Sequence, residues 1–207
     1  MSINISKASQ KDANFLAQMI LQSSRAQKKV GIYDLVFSTN TDADLLAYLE
    51  KLIITSVKNH CHYSNFLIAT IDGKQVGSLC SYEPRISTHD AFVESLKEIG
   101  YEGDISSYEE ILDVCMFKQN NRTLVFDFME ELEGFVDVGV LKGLMQKSLL
   151  TARLKGYRIA RTIVEIGSLE TLLFYKKLGF KEVKQQECEI YKEKFGRLGL
   201  TLLEIEF

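Results

Sequence analysis

The 207-residue sequence is 46% apolar and 10% aromatic with one proline, which suits one globular domain with a sizeable core and disfavours a disordered or low-complexity chain. A formal net charge of −3 gives no basic field to hold phosphates, so no nucleic-acid partner is expected. No run approaches the roughly 18 apolar residues of a membrane span and the start lacks a leader pattern, so the protein is expected in the cytoplasm, away from membranes.

Residues 3–8 read as a strand and 11–25 as a helix whose apolar face carries Phe15, Met19 and Ile20. Residues 27–39 read as a loop. Asn40, Thr41 and Asp42 then offer capping oxygens before Leu45, Leu46, Leu49, Leu52 and Ile53 recur at helical spacing. The run 66–71, the dipeptide Asp72-Gly73 and the run 74–80 spell strand, tight turn, strand. From about 86 to 121 a two-helix insertion is predicted, with Phe92, Leu96 and Ile99 before Gly100, then Tyr108, Ile111, Leu112 and Cys115 after a Ser106-Ser107 cap.

Residues 123–129 are rich in β-formers and predict a central strand, with Glu130 and Glu131 at its exit. Leu141, Leu144, Met145, Ser148, Leu149 and Ala152 trace one helical stripe, which Gly156 closes. A strand follows over 158–166. Short connections through this helix make a βαβ unit and hence a parallel pair. A helix from Ser168, its N-cap, to Leu178 and antiparallel strands near 181–191 and 200–207 complete the chain.

Cys61, Cys80, Cys115 and Cys188 show no spacing suited to zinc, and neither a metal site nor a disulfide framework is expected. Most read as buried small hydrophobes. Cys61, between His60 and His62, is a candidate thiolate nucleophile, although sequence neighbours seldom face each other. His60, His62 and His89 read as surface residues.

The segment Phe174-Tyr175-Lys176-Lys177-Leu178-Gly179-Phe180 carries the functional signal. Gly179 suits the left-handed conformation that ends a helix, letting Phe180 fold back near Phe174 or Tyr175. By local pattern Tyr175 is a core aromatic with its hydroxyl at the rim. In this order of elements, however, the segment resembles the Phe-Tyr-x-x-x-Gly-Phe ending of the last helix of the GNAT superfamily of acyl-coenzyme-A-dependent N-acyltransferases. Ser168 stands where that family often has Asn, and Thr171 where it often has Ala. Gly156 lies 17 residues after Gly139, close to the family's spacing between the middle glycine of its Arg/Gln-x-x-Gly-x-Gly/Ala motif and the helix-ending glycine. Here that motif reads Val136-Asp137-Val138-Gly139-Val140-Leu141 and keeps the central glycine.

The resemblance implies an α/β fold with a GNAT-like central mixed sheet, mostly antiparallel with a parallel βαβ pair, flanked by helices and carrying the two-helix insertion. It implies acetyl-CoA as co-substrate, no metal, and transfer of an acetyl group to a primary amine of a small molecule or peptide. Backbone N–H groups of Val138, Gly139, Val140, Leu141, Lys142 and Gly143 would receive the coenzyme's pyrophosphate, with Lys142 adding charge and with Ser168 and Tyr175 across the cleft. Tyr175 would return a proton to the departing thiolate, while N–H groups near the end of the central strand would hold the carbonyl.

A carboxylate would take the ammonium proton. Simple strand alternation puts Asp127 and Glu131 on one face and Glu130 on the other, which makes Glu131 and Asp127 the candidate bases. Tyr82, Glu83, His89 and Tyr108 would select the acceptor if the insertion covers the cleft, and the same helices are a candidate homodimer contact. Val136 and Leu141, where the motif has a basic and a small residue, and the acidic Asp137 support a second reading, an inactive GNAT-fold ligand-binding or regulatory module.

Overall fold

The strand Ile3–Lys7 (β1) leads into a helix over Ala13–Arg25 (α1), which ends where Ala26 and Gln27 turn to positive φ. A short helix, Ile32–Val36 (α2), occupies the expected loop. Its start is fixed by Asp34, whose carboxylate accepts from the Gly31 N–H at 2.8 Å and from both Nε and an Nη of Arg25. That pairing is tertiary, and no periodicity announces it. Helix Asp42–Ile53 (α3) starts as predicted, its Thr41 hydroxyl accepting from the Asp44 N–H at 3.1 Å. The computed structural model describes residues 2–118, 120–136 and 138–207.

Strands Phe66–Ile71 (β2) and Lys74–Tyr82 (β3) form the predicted hairpin, with Asp72 and Gly73 both at positive φ. Helices His89–Glu98 (α4) and Ser106–Val114 (α5) fill the segment before strand Leu124–Glu131 (β4). The N-cap of α5 is Ile105 rather than the Ser106-Ser107 pair, and Asp104 just before it takes the Ser106 N–H at 2.8 Å. Helix Val140–Leu154 (α6), strand Ile159–Glu165 (β5) and helix Leu169–Lys177 (α7) follow. The expected terminal hairpin is interrupted. Strand Lys181–Glu187 (β6) gives way to helix Glu189–Phe195 (α8) before strand Gly199–Glu206 (β7), because Ile190, Tyr191 and Phe195 lay one apolar stripe over Ile111 and Cys115.

All strands join one seven-stranded sheet in the order β1-β2-β3-β4-β5-β7-β6, antiparallel throughout except for the parallel pair β4–β5. One face packs on α1–α5 through Leu16, Leu49, Phe66 and Phe92. The other packs on α6 and α7 through Val140, Leu144, Met145 and Phe180. Helix α6 lies so close to the sheet that a Cβ on Gly77 would sit 2.7 Å from Val140 Cγ1.

Cys61 and Cys80 are buried free thiols, whereas Cys115 and Cys188 form a disulfide. This corrects the expectation of no such bond. The two lie 73 residues apart in sequence with Cα atoms 5.6 Å apart, and only the stacking of α5 on α8 brings them together. Among the described residues no helix is long and apolar enough to cross a membrane, and no cluster of three potential metal ligands is found.

Candidate active site

Strands β4 and β5 pair only through Leu124 with Ala160 and Val125 with Arg161. Beyond that point they part, and a cleft of about 1090 Å³ opens between them. Helices α6 and α7 border one end, and α1, α2, α4, α5 and α8 border the other. Where pairing stops, alternate N–H groups on this edge of β4 turn toward the cleft instead of toward a neighbouring strand.

The face that β4 presents is set by a bulge. Ser78 of β3 pairs with Glu130 and Cys80 with Asp127, so three residues of β3 oppose four of β4. Phe128 absorbs the extra residue with φ 43°, a left-handed conformation that is costly for a bulky side chain, and its N–H donates to Asp127 Oδ1 at 2.8 Å. The bulge inverts the alternation beyond it. Asp127 and Glu130 therefore both line the cleft, while Glu131 pairs with Gly77 on the face that meets α6. The shared face expected for Asp127 and Glu131 is corrected: Glu130 is the acid that faces the cleft beside Asp127.

Burial pushes the Asp127 carboxyl up to about 6, against the opposing pull of the Phe128 N–H. Glu130 is pushed up to about 7, chiefly by burial, although the Gln22 side-chain amide donates to its Oε2 at 2.9 Å. Both acids thus titrate close to neutrality, as a proton acceptor for an amine requires.

Tyr175 enters from α7. Ser168 precedes the helix, accepts from the Leu172 N–H at 3.0 Å through its carbonyl, and lines the cleft together with Thr171. The far end closes as predicted: Gly179, at φ 98°, donates to Lys176 O at 3.0 Å and Phe180 donates to Tyr175 O at 3.1 Å. Phe180 folds back so that its ring centroid is 5.1 Å from that of Tyr175. The Tyr175 ring is 4% exposed, yet it borders the cleft, where its hydroxyl bonds Thr162 of β5. Burial raises the phenol's pKa further above its ordinary value, so at neutral pH it carries its proton.

Gly139 stands at the N-cap of α6 with φ 94°, and a Cβ there would meet nothing within 4 Å. The first helical bond runs from the Gly143 N–H to Gly139 O at 3.0 Å, which occupies Gly143; Val140, Leu141 and Lys142 form the first turn, whose N–H groups have no intrahelical carbonyl four residues behind them and point out of the helix end. The Val140 side chain is buried, Leu141 borders the cleft, and Val138 and Lys142 are exposed. Asp137 lies outside the described residues. Backbone donors at an open glycine corner, with the positive end of a 15-residue helix behind them, fit a diphosphate without help from side chains.

At the opposite end the histidine expectation changes. His60 is half-buried in the cleft wall: its Nε2 lies 2.8 Å from the Tyr33 hydroxyl, and its ring is 4.9 Å from Phe92. Burial lowers its pKa to about 4, so it is neutral at physiological pH. The Cys61 sulfur is 2.7 Å from the same Tyr33 hydroxyl, and burial raises the thiol's pKa, which removes it as a thiolate nucleophile. His62 is also buried, with Nδ1 2.7 Å from Ser64 Oγ. Tyr82, His89 and Tyr108 border the cleft as expected, whereas Glu83 bonds Arg85 at 2.8 Å on another surface.

The whole architecture is similar to that of an N-acetyltransferase from Staphylococcus aureus Mu50, with a TM-score of 0.70 at 16% identity, covering 98% of this chain and 100% of that one. The chain has the GNAT fold. A second Staphylococcus aureus Mu50 acetyltransferase, of the GNAT family, matches with a TM-score of 0.55 at 15% identity over 99% of both chains. PaiA N-acetyltransferase from Thermoplasma acidophilum, solved in complex with coenzyme A, matches with a TM-score of 0.56 at 15% identity over 100% of both. No protein-family model matches the chain, and no curated protein matches it significantly. The GNAT fold of this chain is therefore carried by topology and packing rather than by extended sequence similarity.

Proposed function

We infer that the protein is an acyl-coenzyme-A-dependent N-acyltransferase that moves an acetyl or related acyl group to a primary amine. The observation that carries this reading is the opening between β4 and β5, where a protonated phenol from α7 and a carboxyl from the β4 bulge border one cleft. The coenzyme A held by the structural neighbour of Thermoplasma acidophilum supports the choice of co-substrate.

When bound, an acyl thioester supplies the acyl carbon and leaves as a thiolate that needs a proton. The backbone donors of Val140, Leu141 and Lys142 hold the diphosphate, with Gly139 permitting close approach. N–H groups on the open edge of β4 orient the acyl carbonyl. Asp127 or Glu130 would take the proton of the acceptor ammonium, the freed amine would form the new C–N bond as the C–S bond breaks, and Tyr175 would give its proton to sulfur. The second proton, shed by the nitrogen as it becomes an amide, would restore the phenol through water.

Thermal unfolding with acetyl-CoA tests the reading. Ligand at a hundred times its dissociation constant adds about 2.7 kcal/mol, a rise of roughly 5–10 °C for a chain of this size. No shift at millimolar acetyl-CoA or CoA overturns it and favours the second reading, a GNAT-fold binding module, which the exposed Val136 and Val138 and the cleft-facing Leu141 support.

A further inference from the structure

Beyond Asp127 the cleft is lined by a cluster of six rings, beside Ser87, Thr88, Ile111 and Leu112. Tyr33 comes from α2, His60 from the loop after α3, Tyr82 from β3, Phe92 from α4, Tyr108 from α5 and Phe128 from the bulge itself. The rings contact one another directly. Centroid separations are 4.9 Å for His60 and Phe92, 5.2 Å for Phe92 and Tyr108, and 5.9 Å for both Tyr33 with Phe128 and His60 with Tyr82. Ile32, Ile111 and Phe195 pack together over the far end, where the Cys115–Cys188 disulfide ties α5 to α8.

Charge within this part of the cleft is scarce. Asp127 is the acid at its floor, and His60 is neutral. Glu130 lies toward the exit of β4 beside Gln22. Glu165 borders the cleft but is occupied by Lys28, Arg197 and the Tyr191 hydroxyl, and Asp113 and Glu170 are exposed on the rim.

We propose that the acceptor is a small monoamine whose single amino group meets Asp127 and whose body is an aromatic or compact apolar group buried among Tyr33, His60, Tyr82, Phe92 and Tyr108. This rests on the acyl-transfer reading and adds the substrate class. Ring faces attract the substrate's ammonium on entry and its apolar body throughout. A polyamine could reach a second carboxylate only by turning back from the rings toward Glu130 at the exit of β4, and a peptide would bury backbone N–H and C=O groups against hydrocarbon. The same low polarity makes the neutral, nucleophilic form of the amine easier to reach once Asp127 has taken its proton.

The test is calorimetric titration of the purified protein at pH 7.5 with 2-phenylethylamine, 2-phenylethanol, spermidine and a lysine-containing hexapeptide, with acetyl-CoA titrated in parallel. The expected result is 2-phenylethylamine binding at least about tenfold tighter than each of the others, the scale of one charge-assisted hydrogen bond. Asp127→Asn should remove the preference of amine over alcohol while leaving 2-phenylethanol unchanged within about threefold, a readout that also reports whether the variant is folded. Spermidine or the peptide binding more tightly, equal binding of amine and alcohol, or no binding of any of the four overturns the inference. If acetyl-CoA binds and the peptide is preferred, the acyl-transfer reading stands and this one falls. If the amine binds and acetyl-CoA does not, the ligand class stands and acyl transfer falls.

Discussion

Asp127 and Glu130 face the same cleft although they are three positions apart on one strand, because the bulge at Phe128 inserts a residue between them. A proton acceptor with an apparent pKa near 6–7 follows from that placement. The pH profile of kcat/KM should rise through about pH 6–7. Asp127→Asn or Glu130→Gln should remove or displace that limb, whereas Glu131→Gln should leave it in place. The profile, measured by thiol release at saturating acetyl-CoA, identifies which acid acts. A limb that moves only in Glu131→Gln contradicts the assignment.

The same shift has a consequence for stability. A carboxyl whose folded pKa is raised binds its proton more tightly in the native state, so its contribution is complete below about pH 4 and is lost as the pH rises through about 6. The difference from the ordinary value of 3.8 corresponds to about 2–3 kcal/mol for Asp127. Its surroundings include the neutral groups Tyr33, Cys61, Cys80, Tyr82, Tyr108 and Tyr175. Asp127→Asn should therefore be more stable than the parent at pH 7.5 and similar at pH 4, as read from urea midpoints. A less stable variant at pH 7.5 would show that the carboxylate is structurally needed.

Tyr175→Phe keeps the ring contacts with Phe174 and Phe180 and removes only the hydroxyl. Turnover should fall by about 10²–10⁴, the range for loss of a general acid, with acetyl-CoA affinity within a few-fold. Equal kinetics for both forms would exclude the phenol from the chemistry.

Gly179→Ala tests how that phenol is held. At φ 98° a side chain is strained, costing about 1–2 kcal/mol, and the turn that sets Phe180 against Tyr175 is the part disturbed. Stability should drop by that amount, and turnover should fall more than coenzyme affinity. A drop in stability with unchanged turnover would mean that Tyr175 is positioned by the sheet alone.

Reducing Cys115–Cys188, or Cys188→Ser, should lower stability by about 2–4 kcal/mol, because the bond closes a long segment between α5 and α8. Melting curves with and without reductant check this. A disulfide persists mainly in oxidising compartments, so identical curves would accord with a cytoplasmic protein holding both residues as thiols.

The sequence alone carried the elements whose signals are local. The hairpin turn at Asp72-Gly73, the Thr41 cap, the stripe of α6 and the stop at Gly179 depend on residues a few positions apart, and the order of elements with the Phe174–Phe180 pattern already resembled the GNAT fold. Helix α2 was hidden because its start rests on the Arg25–Asp34 pair, and α8 because its stripe has meaning only against α5. The disulfide was hidden for the same reason. Which acid faces the cleft was decided by one inserted residue in β4, which reverses the direction of every side chain after it and which strand periodicity cannot foresee. His60 looked like a loop histidine until Tyr33, Phe92 and Phe128 closed around it, since burial depends on what the rest of the chain places there.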